Sequence, residues 1–335
     1  MNFQNPPVAV FMGIPSRLAL AYPPALRSEI AQVVTPAGPD ISGDNWSAHV
    51  GQLKQARVIM STWGMPLLTP EFLDAVPQLQ AIFYAAGSVR CFATEEAYRR
   101  GVSIFSARMA NAIPVAEYAA AAIILSLKQF WAYSRILRDG GAWSRTIPVA
   151  GTWRSTIGLV SLGATGRKTL ERLSHLDCNI LAFDPCVDPQ SVGNLPVQMV
   201  SLEELFQRSD VISLHAPLLE ETRGMIDGRL LRQMKPHATL INTSRGAVIC
   251  ENDLCGILTE RPDLTAVLDV TDPEPPVPGS PLFQLPNVVL TPHISGSLNR
   301  EIEMMGQWMA DELRQFLMKR PLTHEVSLAL LPLIA

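Results

Sequence analysis

The chain has no block of basic residues, no low-complexity stretch and no short internal repeat. Its 27 Lys and Arg are outnumbered by 31 Asp and Glu, for a formal net charge of -4. That balance argues against nucleic acid and against an anionic membrane as partners. Charged residues are only 17% and hydrophobic ones 47%, a globular composition with ample core and not a disordered one. Cysteine is scarce, scattered and odd in number: Cys91, Cys178, Cys186, Cys250 and Cys255. Such a set predicts free thiols in a reducing compartment rather than a disulfide framework. Cys250 and Cys255 lack the further ligands of a zinc site, so no metal is expected. The opening stretch MNFQNPPVAVFMGIP has no positive n-region, and the longest apolar run, residues 119–127, is too short to cross a bilayer. A soluble cytoplasmic protein is the expectation.

What is present is an alternation. The 335 residues suffice for about two domains. Short apolar runs at 8–13, 57–61 and 80–84 read as strands, with a helical pattern at 70–75 between two of them. The segment 114–131 reads as one long helix, apolar nearly all round and therefore buried on most sides. A second series follows, with strand-like runs at 156–161, 179–183, 210–214, 238–242, 264–269 and 287–290. Helical stretches such as 166–176 and 251–258 separate them. Six strands with right-handed crossovers predict a Rossmann-type parallel sheet. The amphipathic stretch 298–318 returns the chain toward the first domain, and its Met304, Met305 and Met309 read as core filler.

The run 156–161 leads into Ser161-Leu162-Gly163-Ala164-Thr165-Gly166. This reads as a dinucleotide-binding turn with serine at the first glycine position, or else as a plain glycine turn in the sheet. Gly163 would let the backbone approach a pyrophosphate, and Gly166 would let helix and strand pack closely. Asp184, at the end of the next strand, stands where a carboxylate accepts from ribose hydroxyls and repels a 2′-phosphate. NAD is thus favoured over NADP.

Three further residues follow strand runs: Arg245 in INTSRGAVI, Glu274 in LDVTDPEPP and His293 in TPHISG. Strand C-terminal ends are where open α/β sheets bind ligands. Together the three supply what hydride transfer to a 2-keto acid needs. His293 can provide the proton, Glu274 can hold the imidazole, and Arg245 can grip a carboxylate with its planar fork. Each alone has a plainer account as an ion pair, a turn acid or a turn histidine. His215, in SLHAP, reads as a residue structuring its strand end while its backbone meets the cofactor.

The motifs NAIPVAEY (111–118), the glycine loop, LHAPLLEETRGMI (214–226), INTSRGA (241–247), LDVTDPEPP (268–276) and TPHISGS (291–297) occur in this order over nearly the whole chain. In them the sequence resembles the D-isomer-specific 2-hydroxyacid dehydrogenases. The resemblance implies two doubly wound α/β domains: a Rossmann NAD-binding domain at 108–297, inserted in a flavodoxin-like substrate domain at 1–107 and 298–335. It implies Arg245, Glu274 and His293 as the catalytic set. Gly163, Ala164, Thr165, Asp184, Ala216, Thr222, Thr243, Asp269, Ser295 and Gly296 would line NAD, with Asp269 near the nicotinamide amide. Ala86, Gly87 and Ser88, in YAAGSVR, would hold the substrate carboxylate through backbone N–H groups. Trp63, in STWGMP, would fill or stack in the substrate pocket, or else simply pack. The substrate would be a small 2-hydroxy or 2-keto acid, hinge closure over the cleft would exclude water, and the assembly would be a homodimer. Two other readings stay open on the same scaffold: an NAD(H)-sensing corepressor-like binding protein, and a formate- or phosphonate-type dehydrogenase.

Overall fold

The computed structural model describes residues 5–188, 192 and 196–334. The chain divides into two compact units, Met1–Asn111 with Ser297–Ala335, and Ala112–Gly296.

The first unit is built on five parallel strands: β1 (Val8–Met12), β2 (Thr35–Pro36), β3 (Val58–Ser61), β4 (Ala81–Tyr84) and β5 (Ser103–Ser106). They lie in the order β2-β1-β3-β4-β5, the flavodoxin order. Every residue of β3 and β4 is buried, as parallel strands covered on both faces require. One face packs Ile59, Ile82, Phe72 and Phe92; the other packs Phe83 and Phe105 against Ile302, Met305, Met309 and Leu313 of the helix Arg300–Leu317. That helix crosses the helix Pro15–Ala21 at Gly306, where a Cβ would stand 1.7 Å from the carbonyl oxygen of Ala21. The apolar C-terminal stretch also belongs to this unit. Glu325 bridges Phe105 antiparallel, Val326 N–H donates to the Ile104 carbonyl at 2.8 Å, and Ile334 joins the core.

The second unit carries seven parallel strands: β6 (Thr156–Val160), β7 (Asn179–Phe183), β8 (Gln198–Met199), β9 (Val211–Leu214), β10 (Thr239–Asn242), β11 (Thr265–Leu268) and β12 (Val288–Leu290). Read from β8, the order β8-β7-β6-β9-β10-β11-β12 is the 3-2-1-4-5-6 Rossmann pattern with one strand added. The switch point lies between β6 and β9.

Three strands were not among the expected runs. β2 and β8 are two-residue edge strands with little apolar content, and β5 carries serine at both ends. The expected helix at 114–131 is two helices, Arg108–Leu127 and Phe130–Arg138, separated by Gln129 in the left-handed region at φ 54°. Pro114 lies inside the first helix and does not open it. By length and composition Arg108–Leu127 could cross a membrane, but 61% of its apolar window is buried inside the protein, which makes it a core helix. All five cysteines are free.

Candidate active site

The ladder of the second unit fixes a row of side chains. Val160 pairs with Phe183 and with Leu214, Leu214 with Asn242, Asn242 with Leu268, and Leu268 with Leu290. The residue after each of these therefore stands at one level on six adjacent strands: Asp184, Ser161, His215, Thr243, Asp269 and Thr291. Side chains alternate along a strand, so continuing the ladder puts five of them on the face opposite Val160, Leu214 and Leu268, while Ser161, left-handed at φ 77°, departs from the alternation and reaches Asp184 through its hydroxyl. Every one is polar.

At one end of the row, Asp184 anchors the glycine loop. Its Oδ2 accepts from Leu162 N–H at 2.7 Å and from Ser161 Oγ at 3.1 Å, and its Oδ1 from Cys186 N–H at 2.9 Å. Ser161 takes the left-handed conformation, φ 77°, that glycine usually supplies here. The serine hydroxyl compensates by binding Asp184. Gly166 is obligatory: a Cβ would lie 2.1 Å from the Ser161 carbonyl oxygen. Gly163 is different, since a Cβ there would meet nothing closer than Ser161 Oγ at 3.9 Å, which leaves open space before the helix Ala164–Leu173. No side chain caps that helix, so the first-turn N–H groups of Ala164 and Thr165 stay available to an anion.

In the middle of the row, His215 and Thr243 are both buried, and neither ring nitrogen nor Thr243 Oγ1 has a hydrogen-bond partner among the described residues. Desolvation pushes the His215 pKa down to about 4, so the ring is neutral at ordinary pH. His215 binds its strand end through its backbone N–H, which donates to the Val160 carbonyl at 2.8 Å; the ring contributes no bond to that end. Ala216 beside it is buried. Thr222 uses its hydroxyl within its own turn, donating to the Pro217 carbonyl at 2.6 Å and accepting from Leu219 N–H at 2.8 Å. These orphaned groups, the open glycine and the uncapped helix suit a dinucleotide laid across the row.

At the far end, Asp269 is 1% exposed and organises the histidine loop. Its Oδ1 accepts from Thr291 Oγ1 at 2.6 Å and from Ile294 N–H at 2.8 Å, and its Oδ2 from Ser295 N–H at 2.9 Å. Tyr118 OH lies 3.1 Å from Thr291 Oγ1, and burial raises its pKa. Sequence reading gave Tyr118 and Thr291 no role, although both lie in quoted motifs. The loop turns through His293, left-handed at φ 54°, whose N–H donates to the Asp269 and Thr291 carbonyls, both at 3.0 Å. The ring then meets Glu274: Nδ1 to Oε1 is 2.6 Å.

Arg245 leaves the end of β10. Asn242 folds that turn by donating from Nδ2 to the Arg245 carbonyl at 2.9 Å and accepting Ser244 N–H at 3.0 Å. Gly246 follows, and a Cβ there would lie 2.0 Å from the Thr271 backbone, so the arginine loop and the loop leading to Glu274 are in direct contact. Burial lowers the Arg245 pKa, while the Glu274 charge opposes that shift. The three expected catalytic residues are thus gathered in one unit, Glu274 touching His293 and sensed by Arg245. A cavity of about 490 Å³ opens beside Glu274 and His293, walled in part by Pro275, Pro276, Phe283 and Leu290. Among the described residues no group of three or more His, Cys, Asp or Glu could hold a metal.

In the first unit, Ala86, Gly87 and Ser88 form the loop after β4. Thr62 Oγ1 and Ser106 Oγ donate to the Ala85 and Ala86 carbonyls, both at 3.1 Å, which ties these carbonyls inward. The N–H groups of residues 86–89 have no acceptor among the described residues. Trp63 packs against both core clusters and lies under Arg17.

Residues 120–295 match the model of the D-isomer specific 2-hydroxyacid dehydrogenase NAD binding domain. The chain is 30% identical to a D-3-phosphoglycerate dehydrogenase of Archaeoglobus fulgidus over 77% of its own length and 49% of that protein's, so it spans about half of this relative. It is 32% identical to a glyoxylate reductase of Korarchaeum cryptofilum, over 73% of this chain and 75% of that one. The fold aligns with the NAD-complexed D-isomer specific 2-hydroxyacid dehydrogenase of Lactobacillus delbrueckii ssp. bulgaricus at a TM-score of 0.77 and 18% identity, over 96% of this chain and 99% of the other.

Proposed function

This chain belongs to the D-isomer specific 2-hydroxyacid dehydrogenase family, and on that premise we propose that it interconverts a D-2-hydroxy acid and its 2-keto acid. The 2.6 Å contact between Glu274 and His293, beside Arg245, carries this reading. When bound, NADH supplies the hydride that reduces the keto carbon, and the chain must supply the proton.

His293 gives that proton to the carbonyl oxygen from Nε2. Glu274 accepts Nδ1–H, which fixes the tautomer and orients the ring. The Arg245 guanidinium holds the substrate carboxylate through a planar pair of donors. The N–H groups of Ala86, Gly87 and Ser88, which have no acceptor among the described residues, are suited to a carboxylate. In the oxidation direction His293 starts neutral and takes the hydroxyl proton. A positioned acid of this kind typically contributes about 10²–10⁴-fold.

Gly163, Ala164 and Thr165 would receive the pyrophosphate, and Asp184 keeps lone pairs for the adenosine ribose. Ala216, Thr222, Thr243, Asp269, Ser295 and Gly296 would line the nicotinamide half. We place the protein in the cytoplasm as a homodimer. The free cysteines fit the first statement, and the exposed Phe130, Trp143 and Trp153 of the second unit fit the second.

NADH consumption by the purified protein, followed with a panel of 2-keto acids, tests the whole. Turnover of at least one, with chiral analysis giving the D-alcohol, is expected. A protein that binds NADH tightly and reduces none of them would be a sensor and not an enzyme.

A further inference from the structure

The strand order of the first unit puts its switch point between β1 and β3, where connections run off in opposite senses. Open α/β sheets bind ligands in the crevice outside the strand ends at such a point. Two chain segments leave there, Gly13-Ile14 after β1 and Thr62-Trp63-Gly64 after β3. Ile14 N–H donates to the Trp63 carbonyl at 2.7 Å. The approach is close because both flanks are glycine: a Cβ on Gly13 would lie 2.8 Å from the Trp63 oxygen, and one on Gly64 would lie 2.7 Å from Ile14 Cγ1.

This junction holds a cation. Arg17, on the helix that follows β1, places its Cζ 5.4 Å from the centre of the Trp63 ring. Trp63 is braced by the cores on both faces of the sheet. Arg17 is exposed, and its guanidinium has no hydrogen-bond or ion-pair partner among the described residues. Two other arginines of the unit are neutralised, Arg27 by Asp40 and Arg100 by Asp74 and Glu96. Asp44, the acid of the adjoining loop, accepts from Ser42 Oγ at 2.6 Å. An indole face positions a guanidinium without consuming its charge or its N–H donors. On the neighbouring strand, β4 ends in the loop whose N–H groups 86–89 have no acceptor among the described residues. The same end of the sheet therefore carries an arginine over Trp63 after β3 and, one strand further on, a loop of N–H groups, both suited to anions.

We propose that Arg17, held over Trp63, reads a second anionic group at the far end of the substrate. The preferred substrates are then 2-keto acids carrying a distal carboxylate or phosphate. This rests on the reading that the loops after β3 and β4 receive the substrate. It assigns Trp63 as the platform that aims the arginine.

The test compares kcat/KM for oxaloacetate and 2-oxoglutarate with that for the uncharged-tail acids 2-oxobutyrate and 2-oxopentanoate. 3-Phosphohydroxypyruvate separates a phosphate preference from a carboxylate one. In the unmodified protein at least one doubly anionic substrate should lead the panel. In Arg17→Gln the ratio of doubly anionic to singly anionic kcat/KM should fall about 10–100-fold, the loss of one charged hydrogen-bonded contact. Trp63→Leu should lower the same ratio, by less, because the charge remains but is no longer aimed. A ratio that Arg17→Gln leaves unchanged, or a panel led by an uncharged-tail acid, overturns this proposal while leaving the dehydrogenase assignment in place. No turnover of any keto acid defeats that assignment instead.

Discussion

Glu274 Oε1 stands 2.6 Å from His293 Nδ1, which leaves Nε2 as the nitrogen free to meet a substrate. The carboxylate can only accept, so it selects the tautomer with hydrogen on Nδ1. In Glu274→Gln the amide N–H₂ can face Nδ1 and favour the wrong tautomer. We expect kcat/KM to drop about 10²-fold or more, with His293→Ala dropping at least as far, within the range of a lost general acid. NADH affinity, read by protein fluorescence quenching, should be nearly intact in both. Full activity of His293→Ala would remove it from the chemistry.

Arg245 is partly buried at the end of β10 and keeps its turn through Asn242. Lysine at this position preserves one charge and loses the planar fork. Arg245→Lys should therefore lower kcat/KM roughly 10–100-fold, the value of one or two charge-assisted bonds. Its NADH dissociation constant should stay within a few-fold. A variant as efficient as the unmodified enzyme would show that the substrate carboxylate is held elsewhere.

Ser161 combines a left-handed backbone with a hydroxyl bonded to Asp184 at 3.1 Å. The conformation costs about 1 kcal/mol or more for a residue with a Cβ, and the hydrogen bond returns about that much. Ser161→Gly should be close to neutral in thermal stability, since both effects are removed. Ser161→Ala keeps the strain and loses the bond, so its melting temperature should be the lowest of the three. Equal melting temperatures for serine and alanine would mean that the hydroxyl does nothing for the loop. Asp184→Asn should narrow the preference for NADH over NADPH, because the repulsion of a 2′-phosphate is gone. A preference unchanged by this substitution would take Asp184 out of cofactor discrimination.

Much of this architecture is legible in the chain itself. Runs such as 80–84 and 179–183 contain four consecutive apolar residues, the signature of strands buried on both faces. Arg245, Glu274 and His293 each follow a strand-like run, so their common edge could be inferred. The two-residue strands β2 and β8 have no run to read. Pro114 invited a helix start because proline favours the first turn, while the helix begins six residues earlier. The polar row from Asp184 to Thr291 was hidden for another reason. Register is a property of pairs of strands, and nothing local states that His215 and Thr243 are level. Nor does sequence say that Ser161 has recruited the acid expected to face a ribose. The motif STWGMP marks Trp63 as a pocket candidate, but nothing local points to the arginine above it, 46 positions away in the chain.

His215 gives the last prediction. Its ring is buried without a hydrogen-bond partner among the described residues, and desolvation lowers its pKa to about 4, below the ordinary 6.5. The unfolded chain therefore binds a proton between pH 6.5 and 4 that the native state refuses. Stability rises with pH wherever the unfolded state holds more protons, so this residue's effect runs one way. It leaves stability untouched above about 6.5, erodes it as pH falls toward 4, and adds no further loss below. A displacement of this size corresponds to about 3 kcal/mol across the window. Urea unfolding of the unmodified protein between pH 7 and 4 should show a decline to which His215 contributes. In His215→Gln, which does not titrate, that contribution disappears and the slope flattens, even if stability at pH 7 is lower. NADH should raise the stability of the unmodified protein at every pH without flattening the decline, since binding the native state adds a constant and a neutral ring under the cofactor takes up no extra proton. Parallel slopes for the two proteins would mean that water reaches the ring and that His215 is not buried in solution.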